Sequence, residues 1–175
     1  MDERNRERAL PWVERFADLV PRGPVLDVAS GTGRHARLFL ARGHPVVAVD
    51  RDLSGLADLA ADPRLESLEA DLETGAPWPL AGRRFAAVVV TDYLHRPLLD
   101  DLVAAVAPGG LLLYATFAVG HEAFGRPRSP DHLLRAGELL EVVREKLIVI
   151  AYEDVVEAVP RPAARQRICA RRPKA

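Results

Sequence analysis

Between Val25 and Ala36 the chain reads Val-Leu-Asp-Val-Ala-Ser-Gly-Thr-Gly-Arg-His-Ala, placing an apolar strand, a glycine turn and a helix start within twelve residues. That compression constrains the fold, because a buried strand running straight into a helix is the opening half of a βαβ unit. Gly31 and Gly33 can take backbone angles closed to other residues and let a ligand approach the main chain. The helix that follows offers unpaired N–H groups. Asp27, inside the strand, is out of place in a phosphate cradle but suits a ligand that carries positive charge.

The rest of the chain repeats this alternation. Trp12, Val13, Phe16, Leu19 and Val20 recur at helical spacing after Pro11, so the first twenty residues hold a short capping helix that Pro21 stops. Val25–Ala29, Pro45–Asp50, Leu65–Ala70, Phe85–Thr91 and Leu111–Phe117 read as five buried strands. Helices are expected over Arg34–Arg42, Leu53–Ala60, Leu98–Val106 and from about Pro130 to Lys146. Leu72–Arg84 is a loop and Pro108-Gly-Gly110 a turn. Leu147–Val155 and Gln166–Arg171 are separated by about ten residues, too few for a crossover helix, so they pair antiparallel. The expected fold is α/β, a doubly wound, mostly parallel seven-stranded sheet ending in an antiparallel hairpin.

Length and charge narrow the class. At 175 residues the chain suits a single domain, 1–175, without a separate substrate domain. Lys+Arg 24 against Asp+Glu 25 gives no overall field toward nucleic acid or anionic membranes. The arginines near the C-terminus (161, 165, 167, 171 and 172) and Lys174 read as a solvated tail. Cys169, the one cysteine, excludes an internal disulfide and reads as a small buried strand residue. No run approaches the roughly 18 to 20 apolar residues of a membrane span. Met-Asp-Glu-Arg-Asn-Arg-Glu-Arg at the start lacks the core of a signal peptide. The expectation is a cytoplasmic protein, monomeric or homodimeric.

Four separated motifs resemble those of the small class I S-adenosylmethionine-dependent methyltransferases, and the resemblance covers nearly the whole chain. They are Leu26-Asp-Val-Ala-Ser-Gly-Thr-Gly33, Asp50 after the second strand, Ala70-Asp-Leu72 after the third, and Pro108-Gly-Gly110 before the fifth. Ala29 stands where the family's first glycine stands. The run Phe124–Leu139, with its Pro-Asp-x-x-Leu-x-x-Gly-Glu-Leu pattern, is similar to the tellurite-resistance-like subgroup. The resemblance implies a cofactor set of Asp27, Ala29, Ser30, Gly31, Gly33, Asp50, Arg51, Asp71, Leu72 and Thr91, with S-adenosylhomocysteine as product. Asp50 would take both ribose hydroxyls, Asp71 and Leu72 would face the adenine, and Asp27 would lie near the cofactor's ammonium group.

Acceptor chemistry is expected from Thr91-Asp-Tyr-Leu-His-Arg-Pro97, which leaves the carboxyl end of the fourth strand at the crevice where such sheets bind ligands. Asp92, Tyr93 and His95 are candidates to orient or deprotonate a nucleophile, and Arg96 to bind an anionic substrate. Each equally fits a loop packed on the cofactor. His121, Phe124 and Arg126 belong to a polar segment over residues 119–130 that is long enough to act as a substrate lid. His35 and His44 read as structural, and no histidine spacing suggests a metal. A small-molecule acceptor is expected. An RNA methyltransferase, an NAD-dependent oxidoreductase and a cofactor-holding protein without catalysis stay open, because Gly31-x-Gly33-x-x-Ala36 also fits a dinucleotide fingerprint.

Overall fold

The computed structural model describes residues 8–174. The charged start of the chain, Met1 to Glu7, and the last residue of the expected domain lie outside the described residues. The elements are α1 (Pro11–Ala17), β1 (Val25–Val28), α2 (Arg34–Ala41), β2 (Val46–Asp50), β3 (Leu65–Glu69), β4 (Phe85–Thr91), α3 (Leu99–Ala104), β5 (Val106–Phe117), α4 (Glu138–Val143), β6 (Ile148–Glu157) and β7 (Ala163–Arg171). They build one seven-stranded sheet in the order β3-β2-β1-β4-β5-β7-β6. Strands β1 to β5 run parallel, while β7 pairs antiparallel with both β5 and β6. The order reverses between β1 and β4, which opens a crevice at their carboxyl ends.

Alternation along each strand sorts side chains into two cores. Leu26, Val28, Val88, Val90, Leu112 and Tyr114 face α3, α4 and the loop that carries Trp78 and Leu80. Val25, Ala87, Val89, Leu111 and Leu113 face Trp12, Val13 and Phe16 of α1 and Ala36, Phe39 and Leu40 of α2. Burying each larger apolar side chain contributes about 1.5–3 kcal/mol. The Trp12 indole N–H also donates to the Ile168 carbonyl at 3.3 Å, pinning the first helix to the terminal hairpin.

Three local expectations need correction. Ser54–Leu59 is a 3-10 helix rather than an α-helix. The Pro108-Gly-Gly110 turn lies within β5 as a bulge, the pairing passing from Phe85↔Val106 to Ala87↔Leu111. A side chain at Gly110 would sit 2.9 Å from three carbonyl oxygens, so only glycine fits there. The helix expected from Pro130 to Lys146 is confined to Glu138–Val143. Upstream of it, Leu134 bridges back to Ala118, and Gly137 takes a left-handed φ of 70° that cannot continue a helix.

Candidate active site

The glycine turn is held from both sides. The Gly31 N–H donates to Asp50 Oδ2 at 2.8 Å and the Asp52 N–H to Asp50 Oδ1 at 3.0 Å, so the carboxylate at the end of β2 ties that strand to the turn. Behind the turn, a Cβ on Gly55 would come within 2.2 Å of the Gly31 carbonyl oxygen, and one on Gly33 within 2.4 Å of Leu56 Cδ2. In front, a Cβ on Gly31 would meet nothing within 4 Å. Ala29 has a φ of 52°. The feature wanted at that position is therefore left-handed backbone, and alanine holds it at a steric cost that small size does not remove.

Asp27 is buried under the turn and does not border the cavity described below. Its Oδ2 accepts the Ala36 N–H at 3.0 Å, capping α2 from a neighbouring strand. Burial pushes the carboxyl up to about 8, with Ala36 and Arg34 only partly opposing. The expected place beside a ligand ammonium is thus taken by a helix cap. The same contact occupies an N–H that a dinucleotide-binding helix would present to pyrophosphate. His35 is structural, as expected: its Nε2 lies 3.1 Å from the Leu10 N–H and its Nδ1 3.4 Å from Thr91 Oγ1. Burial, and then Arg34, lower it to about 3. The neutral ring accepts from Leu10 and donates to Thr91.

A cavity of about 900 Å³ opens where the strand order reverses. Its walls come from the segment before α1, the glycine turn, the end of β4, the segment after β5 and the β6–β7 turn. Of the predicted site residues it brings together Ala29, Ser30, Gly31, Thr91, Asp92, Tyr93, His121, Phe124 and Arg126. Asp50, Arg51, Asp71 and Leu72 stand to one side, at or just past the ends of β2 and β3, outside the cavity lining. Among the described residues, four buried side-chain atoms lack a hydrogen-bond partner: Ser30 Oγ, Tyr93 Oη, His121 Nδ1 and Arg171 Nε. The first three belong to residues that line this cavity.

The residues after β4 do not form the expected acid–base group. Asp92, at a left-handed φ of 52°, is held by Arg34 at 3.1 Å and Arg165 at 2.5 Å, so its carboxylate is committed to ion pairs. His95 lies outside the cavity lining and starts the 3-10 turn of Arg96–Leu98. Arg96 binds no free anion. It grips Glu138 with two bonds of 2.7 and 3.0 Å and donates to the carbonyls of Pro130, Asp131 and Leu133. Tyr93 stays at the cavity, where burial and the carboxylate of Glu73 hold its phenol well above the ordinary range.

The segment after β5 is a closed loop, since the Val119 N–H donates to Leu134 and the Leu134 N–H to Phe117. Inside it the His121 ring lies on Phe117 with centroids 4.2 Å apart, and its Nε2 donates to the Arg126 carbonyl at 3.0 Å. A carbonyl can only accept, so Nε2 carries a hydrogen. Of the C-terminal arginines expected as a solvated tail, three are engaged, while Arg161 is exposed. Arg165 stacks over Phe117 at 4.2 Å and pairs with Asp92 and Glu157, while Arg167 pairs with Glu153 and Glu157. Arg172 donates to the Val103 and Val106 carbonyls.

No family model matches the chain. A demethylmenaquinone methyltransferase of Renibacterium salmoninarum is 31% identical over 125 residues, covering 67% of this chain and 51% of that protein. Among solved structures, TehB from Haemophilus influenzae superposes with a TM-score of 0.73 at 15% identity, over 92% of this chain and 61% of that one. The 1,6-didemethyltoxoflavin-N1-methyltransferase of Burkholderia thailandensis, solved with its namesake compound and S-adenosylhomocysteine, gives 0.72 at 21% identity over 99% and 82%. This chain has the class I methyltransferase fold. It spans about half the length of the curated relative and under two thirds of TehB.

Within the methyltransferase fold, sequence reasoning missed Gly55, whose absent side chain lets the 3-10 turn press on the glycine loop. A lone glycine inside an apparent helix was the signal for it. It also missed Arg34, Arg165 and Glu157 as walls of the cavity. Nothing in their spacing announces a partner far along the chain.

Proposed function

We propose that this chain transfers a methyl group from S-adenosylmethionine to a small-molecule acceptor in the cytoplasm. The observation that carries the reading is the cavity of about 900 Å³ where the strand order reverses, floored by a glycine turn with open space over Gly31. The residues present fit the cofactor: open space over Gly31, and a carboxylate at Asp50 with lone pairs left for two vicinal hydroxyls. Asp71, Leu72 and Arg51 would flank the adenine; Thr91 and the glycine turn would flank the amino-acid end.

When bound, the cofactor supplies a methyl group already activated by its sulfonium. The protein's task is then alignment and exclusion of water. Tyr93 and His121 would orient the acceptor, and the closed loop after β5 would cover it. The relatives support a small acceptor, being a demethylmenaquinone and a toxoflavin methyltransferase. Calorimetry with S-adenosylhomocysteine and NAD side by side tests the reading. Saturable binding of the first alone is expected, and Asp50→Ala should weaken it by about 1.5–3 kcal/mol. Binding of NAD, or indifference to both, would refute it.

A further inference from the structure

The chain as a whole is nearly neutral, at −1. Its cavity is not. Among the described residues, six arginines line it (Arg8, Arg34, Arg126, Arg161, Arg165 and Arg167) against two acids, Asp92 and Glu157. Arg34, Arg165 and Arg167 are spent on those acids and on Glu153, and Arg8 faces Glu14 at 3.9 Å. Arg126 and Arg161 have no hydrogen bond or ion pair from their side chains to any described residue. One comes from the loop after β5 and the other from the β6–β7 turn.

Neither guanidinium hangs on slack chain. Arg126 precedes Pro127, which confines its backbone to extended angles, and its carbonyl is fastened to His121. Arg161 stands between Pro160 and Pro162. Other walls of the same cavity are apolar and aromatic: Phe117 under the His121 ring, Phe124 at 45% exposure 6.4 Å beyond it, and Val159 at 79% exposure. An exposed ring and an exposed valine at a cavity mouth call for an apolar body, and two unpaired cations call for an anion on the same molecule.

We infer that the methyl acceptor is a small planar aromatic acid, its ring seated against Phe124 and Val159 and its carboxylate drawn by Arg126 and Arg161. This rests on the transfer reading above. Arg126 and Arg161 are specificity residues here, not participants in bond making.

Fluorescence titration with salicylate and with salicylamide, its uncharged isostere, tests the inference in the protein saturated with S-adenosylhomocysteine. Salicylate should bind about tenfold more tightly than salicylamide, the scale of charge-assisted contacts discounted for exposure. In the Arg126→Gln/Arg161→Gln double variant that preference should vanish, with salicylamide affinity unchanged. Both positions are exposed and unpaired, so the variant is expected to fold. Equal affinity for the two probes, no binding of either, or a preference that survives in the double variant would each overturn the inference. Calorimetry with S-adenosylhomocysteine on the same samples separates the two readings: donor binding without anion preference removes only the aromatic acid, whereas loss of donor binding in the unaltered protein removes the transfer reading and this inference with it.

Discussion

Ala29 and Asp27 sit two residues apart and make opposite demands. Ala29 holds left-handed backbone, which costs an L-residue about 1–2 kcal/mol, partly offset by its lower unfolded-state entropy relative to glycine. Ala29→Gly is therefore expected to raise stability by roughly 0.5–1 kcal/mol in urea denaturation. Asp27 governs pH dependence. Its folded value near 8 lies above the ordinary 3.8, so the native state keeps a proton that the unfolded chain loses, and stability falls as pH rises between these limits. His35, lowered from 6.5 to about 3, does the reverse: stability falls as pH drops below 6.5. The two slopes oppose each other between about pH 4 and 6.5, and only Asp27 acts from there to pH 8. Asp27→Asn should flatten a decline of roughly 1 kcal/mol per pH unit over that upper range, measured by denaturant titration at stepped pH. A decline that persists would show that Asp27 is already ionised in the folded protein.

At the scale of elements, the segment after β5 illustrates how a residue's partner sets its role. Arg96 was expected to receive a substrate anion, since an arginine at the carboxyl end of a central strand is well placed for one. Its guanidinium instead latches Glu138 and three carbonyls of the returning chain. Arg96→Ala should cost about 2 kcal/mol, less than a fully buried pair because a quarter of the arginine is exposed. Faster amide exchange should appear at Val119 and Leu134, whose N–H groups close the loop, while the affinity for S-adenosylhomocysteine stays the same. Unaltered exchange at those two amides would argue that the loop is closed by its backbone alone. The mistaken helix over residues 130–137 has the same origin. Its local pattern suits a helix, but the pairing of Leu134 with Ala118 and the latch from Arg96 hold it open.

Across the whole molecule, Asp92 joins the first half of the sheet to the last hairpin. Arg34 reaches it from α2 and Arg165 from β7, at 19% and 13% side-chain exposure. Asp92→Ala leaves both cations poorly solvated and should destabilise the fold by about 2–3 kcal/mol, measured by thermal or urea unfolding. A base with no structural duty would leave stability unchanged. The seven strands, their mostly parallel sheet and the closing hairpin were legible in the sequence because near-continuous apolar strands bury on both faces and a ten-residue gap admits no crossover. The glycine turn was legible too, since few residues can hold its angles. Local periodicity and steric limits are properties of adjacent residues, and these the amino-acid order determines directly. Which arginine meets which carboxylate, which histidine nitrogen carries a hydrogen, and whether an acid caps a helix or greets a ligand depend on distances between residues far apart in the chain. The tertiary structure decided those, because an ion pair or hydrogen bond acts over a few ångströms and the folded sheet alone brings its partners that close.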